Sequence, residues 1–181
     1  PLILGNLLQQ LYNTADSIMV GNFVGSNALA AVGASSSMIY LLIAFSQGAA
    51  VGAGVIVAQY LGARDKKSVS DAVHTSLVIA GILGIVLTIA GIVLSRQLLE
   101  WMKTPEEVME QAVTYFRLYS AGMFFGIVYN MAAGILNAAG NSKRSLLYLA
   151  VASLTNIVLD ILFIAIMDMG VAGAAIATDI S

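Results

Sequence analysis

Two carboxylates, Asp16 and Asp160, fall inside stretches that are otherwise apolar enough to cross a bilayer. A carboxylate near mid-membrane costs about 3 kcal/mol on insertion scales, so an intramembrane Asp reads by default as a residue kept for use. The chemistry open to it is the binding and release of a proton or another cation. Each carboxylate has polar neighbours in helical register. On a wheel of about 100° per residue, Asn6, Gln9, Tyr12, Asn13 and Asp16 share one side, and Leu4, Leu7, Leu8, Leu11, Ala15 and Ile18 fill the other, as expected of a helix facing lipid on one side and a polar interior on the other. Ser153, Asn156 and Asp160 recur at i, i+3 and i+7 on a second apolar segment, and Gly122, Gly126, Asn130, Gly134 and Asn137 make a small and polar stripe on a third. Such a stripe lets a neighbouring helix approach closely and offers amide hydrogen bonds.

A lone membrane Asn or Gln is most often interhelical glue, which is how Asn6, Gln10 and Asn137 read individually. Arg117 reads as a snorkelling residue, and His74, beside a basic loop, as a solvated helix-start residue. Met19, Tyr12 and Met131 are available as apolar lining for varied amphiphiles. The depth of Asp179 is left open by the sequence.

These side chains must be positioned by membrane helices. Hydrophobic residues make up 59% and charged residues 10% of the 181, against about a quarter charged in soluble domains, so the chain could not cover a water-facing surface. Zero cysteines and one histidine exclude a disulfide framework, a thiolate zinc site and a histidine-based catalytic cluster, and a net charge of −2 argues against nucleic acid as a partner. The opening Pro1 and the lack of a signal-peptide pattern lead us to expect a fragment of a longer chain. Polar punctuation predicts an all-α, polytopic transmembrane bundle forming a single membrane domain over 1–181, with five complete spans and the start of a sixth. The spans cover about Leu2 to Val20, Ala28 to Leu61, Ala72 to Leu94, Ala112 to Ala138 and Leu146 to Ile166, with the sixth opening after Gly170. The second span exceeds the bilayer thickness and has to tilt, kink or project into water. Ser95 to Glu110 reads as a separate charged, amphiphilic segment, with Trp101 at interfacial depth and Thr104-Pro105-Glu106-Glu107 as a helix start.

Basic residues set the expected orientation. Arg64, Lys66 and Lys67 follow span two, and Lys143 and Arg144 follow span four, so the loops near 62–71 and 139–145 are expected in the cytoplasm and the segments at about 21–27 and 95–110 outside. The expected location is the cell (inner or plasma) membrane, multi-pass.

Several segments also match a known pattern in order. QQLYNTADSIMVG followed by ALAAVGAS, then VAQYLGARDKK, AGNSKRSLL, NIVLDILFI and GVAGAAIAT, resembles the first six helices of multidrug and toxic compound extrusion (MATE) carriers over the whole chain. The resemblance implies the N-terminal lobe, cut within helix six, of a twelve-helix, two-lobe transporter that exports drugs and other amphipathic organic cations in exchange for protons or sodium. The implied partners are the small-molecule substrate, the lipid bilayer and the C-terminal lobe, with no cofactor beyond the coupling ion. Carried over residue by residue, it assigns cation coupling or substrate binding to Gln9, Tyr12 and Asp16, to Asn130, to Asn156 and Asp160, and to Thr178, with sodium an alternative to the proton at Asp16 and Asp160 and no firm metal site. Two positions depart from the family pattern: Ser145 replaces a common Pro, and Asp179 stands where an apolar residue is expected.

Two rivals remain. A flippase of lipid-linked saccharide precursors is distantly similar but usually has a more cationic cavity. An intramembrane aspartyl protease needs two membrane carboxylates, yet Asp160 sits in Val-Leu-Asp-Ile and not Gly-x-Gly-Asp, so no enzymatic activity is expected.

Overall fold

Where water is absent, backbone N–H and C=O groups must pair within their own segment, so runs of Leu, Ile, Val and Ala become helices. In the computed structural model, α1 spans Leu2–Met19, α2 Ser26–Gly62, α3 Lys66–Trp101, α4 Glu106–Ala138, α5 Ser142–Asp160 and α6 Gly170–Ile180. Wide π-helical turns, Val20–Val24 and Ile161–Ile166, extend α1 and α5. The structure describes residues 2–181, and the side chains from Leu7 onward other than those of Tyr12, Asn13 and Ala15. Among the described residues there is no strand.

Among the described residues four helical segments, α2, α3, α4 and α5 with its π turn, are long and apolar enough to cross a membrane by themselves. The amphipathic α1 has 18 residues and α6 has 11. Large apolar side chains along α3, among them Val78, Ile82, Val86, Ile89 and Val93, stand more than half exposed. A soluble protein would not leave such a surface to water, whereas in lipid it is the natural outer face.

Helix ends differ from expectation in two places. The segment 95–110 is not a separate element: α3 runs on to Trp101 and α4 begins at Glu106. The cause is packing, because Leu99, Val108 and Met109 enter the core while Arg96 pairs outside with Glu100 at 3.2 Å and Glu110 at 2.9 Å. Trp101 remains 72% exposed, consistent with its expected interfacial depth. The turn expected over 21–27 shrinks to Gly25, whose φ of +109° disfavours any L side chain. At the opposite end, the loop between α2 and α3 is only 63–65. Asp65 caps α3 by accepting hydrogen bonds from the Ser68 N–H at 3.1 Å and the Ser68 hydroxyl at 2.6 Å, which hold its carboxyl below the usual carboxylate range.

The central element is α4, which packs against α2, α3, α5 and α6, while α1 packs mainly on α5. Small residues set the close crossings. A Cβ on Gly134 would stand 2.9 Å from the Ala50 carbonyl oxygen, and one on Gly54 would stand 3.2 Å from the Gly134 carbonyl oxygen, so α2 and α4 meet backbone to backbone. Gly84 and Gly91 of α3 receive Phe124 and Ser120 of α4. By contrast, among the described residues nothing lies within 4 Å of a Cβ on Gly48 or Gly52 of α2, so neither glycine seats another described helix. Asn137 Oδ1 is buried with no hydrogen bond among the described residues, so that atom does not serve as interhelical glue.

Candidate functional site

Periodicity on α1 and α5 turns their carboxylates inward. Asp16 is 9% exposed and Asp160 1%, while Leu7, Leu11 and Ile18 on the far side of α1 are 55–66% exposed. The lipid-facing and interior-facing sides of α1 therefore lie as the wheel predicts for the described positions. Asn6, Tyr12, Asn13, Leu4 and Ala15 lie outside the residues whose side chains are described.

Because α1 packs on α5, Asp16 and Asp160 come within electrostatic reach of each other. Asn156, one turn before Asp160, is 1% exposed. Its Nδ2 donates a long hydrogen bond to Thr178 Oγ1 at 3.5 Å, and that hydroxyl donates in turn to the Ala174 carbonyl at 3.0 Å. Among the described residues no hydrogen bond reaches Asp16 Oδ1, either carboxylate oxygen of Asp160, or Asn156 Oδ1. Four buried acceptors thus lie on α1 and α5, two helices that pack together. Acceptors without donors are what a proton or a small hard cation would satisfy.

Gln9, Asn130, Asn156 and Thr178 line one cavity of about 520 Å³. Asp16 and Asp160 do not. Asn156, one turn before Asp160 on α5, borders the cavity, so the expected site divides into an open part and a buried pair. The lining methionine is Met123; Met131 is buried in the α2–α3–α4 core and Met19 packs against the other core cluster, so neither is part of this lining. Among the described residues no group of three or more His, Cys, Asp or Glu converges.

Three further residues enter the site. Tyr115, 4% exposed on α4, lies within electrostatic reach of Asp16, Asp160 and Asp179, and its ring centroid is 6.1 Å from that of Tyr119 on the cavity wall. Ser46 of α2 and Asp179 of α6 also line the cavity. A signal for Tyr115 and Tyr119 was present, since both continue the Gly122–Gly126–Asn130 stripe toward the start of α4 at helical spacing. No comparable signal marks the π turns. One starts directly after Asp160 and the other four residues after Asp16, and such turns occur frequently at functional sites.

The fold and site are those of a multi-pass helical membrane protein with two buried carboxylates and a separate cavity. The MatE family model matches residues 1–162, and the chain belongs to that family. It is 36% identical over 181 residues to the probable multidrug resistance protein YpnP of Bacillus subtilis, covering 100% of this chain and 41% of that protein. Against the probable multidrug resistance protein NorM of Thermotoga maritima the identity is 28%, covering 97% of this chain and 39% of the relative. The chain thus spans about two fifths of the curated relatives it matches. A solved MOP superfamily transporter from Pyrococcus furiosus, described as having a binding pocket of reverse polarity that suggests a different function, superposes with a TM-score of 0.93 at 37% identity, over 99% of this chain and 40% of that one. A multidrug resistance MATE family transporter superposes with a TM-score of 0.92 in its outward-facing conformation, at 37% identity over 98% of this chain and 39% of that one. For an inward-facing conformation the TM-score is 0.89, at 37% identity over 95% of this chain and 39% of that one.

Proposed function

We propose that this chain is the N-terminal lobe, through the start of its sixth helix, of a twelve-helix antiporter that exports amphipathic organic cations in exchange for protons or sodium. The observation that carries this reading is the pair of buried carboxylates, Asp16 and Asp160, contributed by different helices and with oxygens that no hydrogen bond reaches among the described residues. Neutralising that pair with a proton, or bridging it with a sodium ion, changes its interactions by kcal/mol amounts in a low-dielectric setting. Such a change drives alternating access only if the ion binds the inward- and outward-facing packings unequally. The similar superposition on solved transporters in both states supports a lobe that rocks nearly as a rigid body. The multidrug names of the relatives support a drug-like substrate, and the described cavity lining, with no Lys or Arg, supports a cationic substrate over a lipid-linked saccharide phosphate. In this reading no bond of the substrate is made or broken and no cofactor is needed beyond the coupling ion.

The test is ethidium efflux by the complete transporter in vesicles under separately imposed proton and sodium gradients. Efflux under one gradient supports the reading and identifies the ion; equal efflux with neither gradient applied would overturn it.

The two basic loops belong on the cytoplasmic side in this scheme. Single cysteines replacing the exposed Ser70 and Ala139 are expected to react with an impermeant maleimide from the cytoplasm, and one replacing Ser26 from outside. Labelling of all three from one side would refute the topology.

A further inference from the structure

The cavity wall carries a carboxylate that the coupling scheme does not use. Asp179 is half-buried near the end of α6, and its carboxyl rests against Gly122, about midway along α4. A Cβ on Gly122 would overlap that carboxyl, so glycine is what leaves the seat open. From there Asp179 borders the cavity together with Tyr119, Met123, Phe125 and Tyr129.

Among the described residues no basic side chain is at hand to neutralise it. None lines the cavity among the described residues, and α1 and α6 contain none. The one basic residue of α4, Arg117, donates its Nε–H to Ser95 of α3 at 2.8 Å, and those of α5, Lys143 and Arg144, stand in its first turn. A carboxylate without a countercharge among the described residues suits a cationic partner, and the aromatic residues that line the same cavity favour one that is also apolar. The volume, about 520 Å³, lies within the range of small-molecule sites.

We propose that Asp179 anchors the positive charge of the exported organic cation, at a position separate from the buried Asp16 and Asp160. The proposal rests on the transport reading above and deepens it. The buried pair takes the coupling ion, while the seat against Gly122 takes the substrate. The ligand class is a monovalent organic cation carrying flat apolar groups.

Binding to the complete, detergent-solubilised transporter tests this with two probes of similar shape: tetraphenylphosphonium, which is permanently charged, and neutral triphenylphosphine oxide. Asp179→Asn is expected to weaken tetraphenylphosphonium binding at least about tenfold while changing that of the oxide less than about threefold. Gly122→Ala, which displaces the carboxyl from its seat, is expected to weaken tetraphenylphosphonium binding in the same direction. Unchanged tetraphenylphosphonium affinity in Asp179→Asn, or an equal loss for both probes, would overturn the proposal, the second outcome indicating a packing role. Should the Asn variant not fold, Asp179→Ser answers the same comparison. If the wild-type transporter moves substrate under neither gradient, the transport reading fails, while the two-probe comparison still decides whether Asp179 holds a cation.

Discussion

Exchanging Asp160 for Asn, or Asp16 for Asn, is expected to abolish gradient-driven ethidium efflux by the complete transporter, to the level of vesicles without it. The substitution preserves shape and removes the charge. An amide cannot cycle a proton, and its oxygen offers sodium a weaker ligand than a carboxylate does. The protein should remain folded, because Asp160 is 1% exposed with neither carboxylate oxygen hydrogen-bonded among the described residues, so the fold does not lean on its charge. Relief of that burial can even raise the melting temperature of Asp160→Asn. Efflux should be read beside monodispersity and melting temperature, with Asn137→Ala as a control outside the cavity lining, expected to keep most transport. Unimpaired efflux by both Asp variants would move coupling away from these residues.

Gly134→Leu is expected to prevent recovery of folded protein. The contact it breaks is between main chains: the Ala50 carbonyl stands 2.9 Å from where a Cβ would be, so α2 and α4 must part to admit one. Gly134→Ala poses the same problem in smaller form. Overpacking of this kind costs about 1–3 kcal/mol, and the melting temperature should fall accordingly. Gly126, two turns earlier on the same stripe, has room for a Cβ, with nothing within 4 Å of it among the described residues, and Gly126→Ala should leave the melting temperature unchanged. Equal effects at the two positions would mean that helix propensity, and not the α2–α4 crossing, sets the outcome.

The contrast between those glycines separates what the sequence by itself determined from what tertiary structure decided. Spacing of 3.6 residues reports which side of one helix is polar, and on that basis the inward faces of Asp16 and Asp160 and the outward faces of Leu7, Leu11 and Ile18 were legible. Long apolar runs likewise marked the spans, because a membrane admits no other way to pair their backbones. Helix ends were less legible, since Leu99, Val108 and Met109 carry α3 and α4 through a charged stretch by burying themselves against other elements. Periodicity says nothing about which residue stands opposite. That Gly134 meets Ala50, that Gly122 leaves room for Asp179, and that Asn156 lines the open cavity while Asp16 and Asp160 do not all depend on how helices distant in sequence come to cross. Those crossings are set by the packing of all the helices together, and only the folded bundle specifies them.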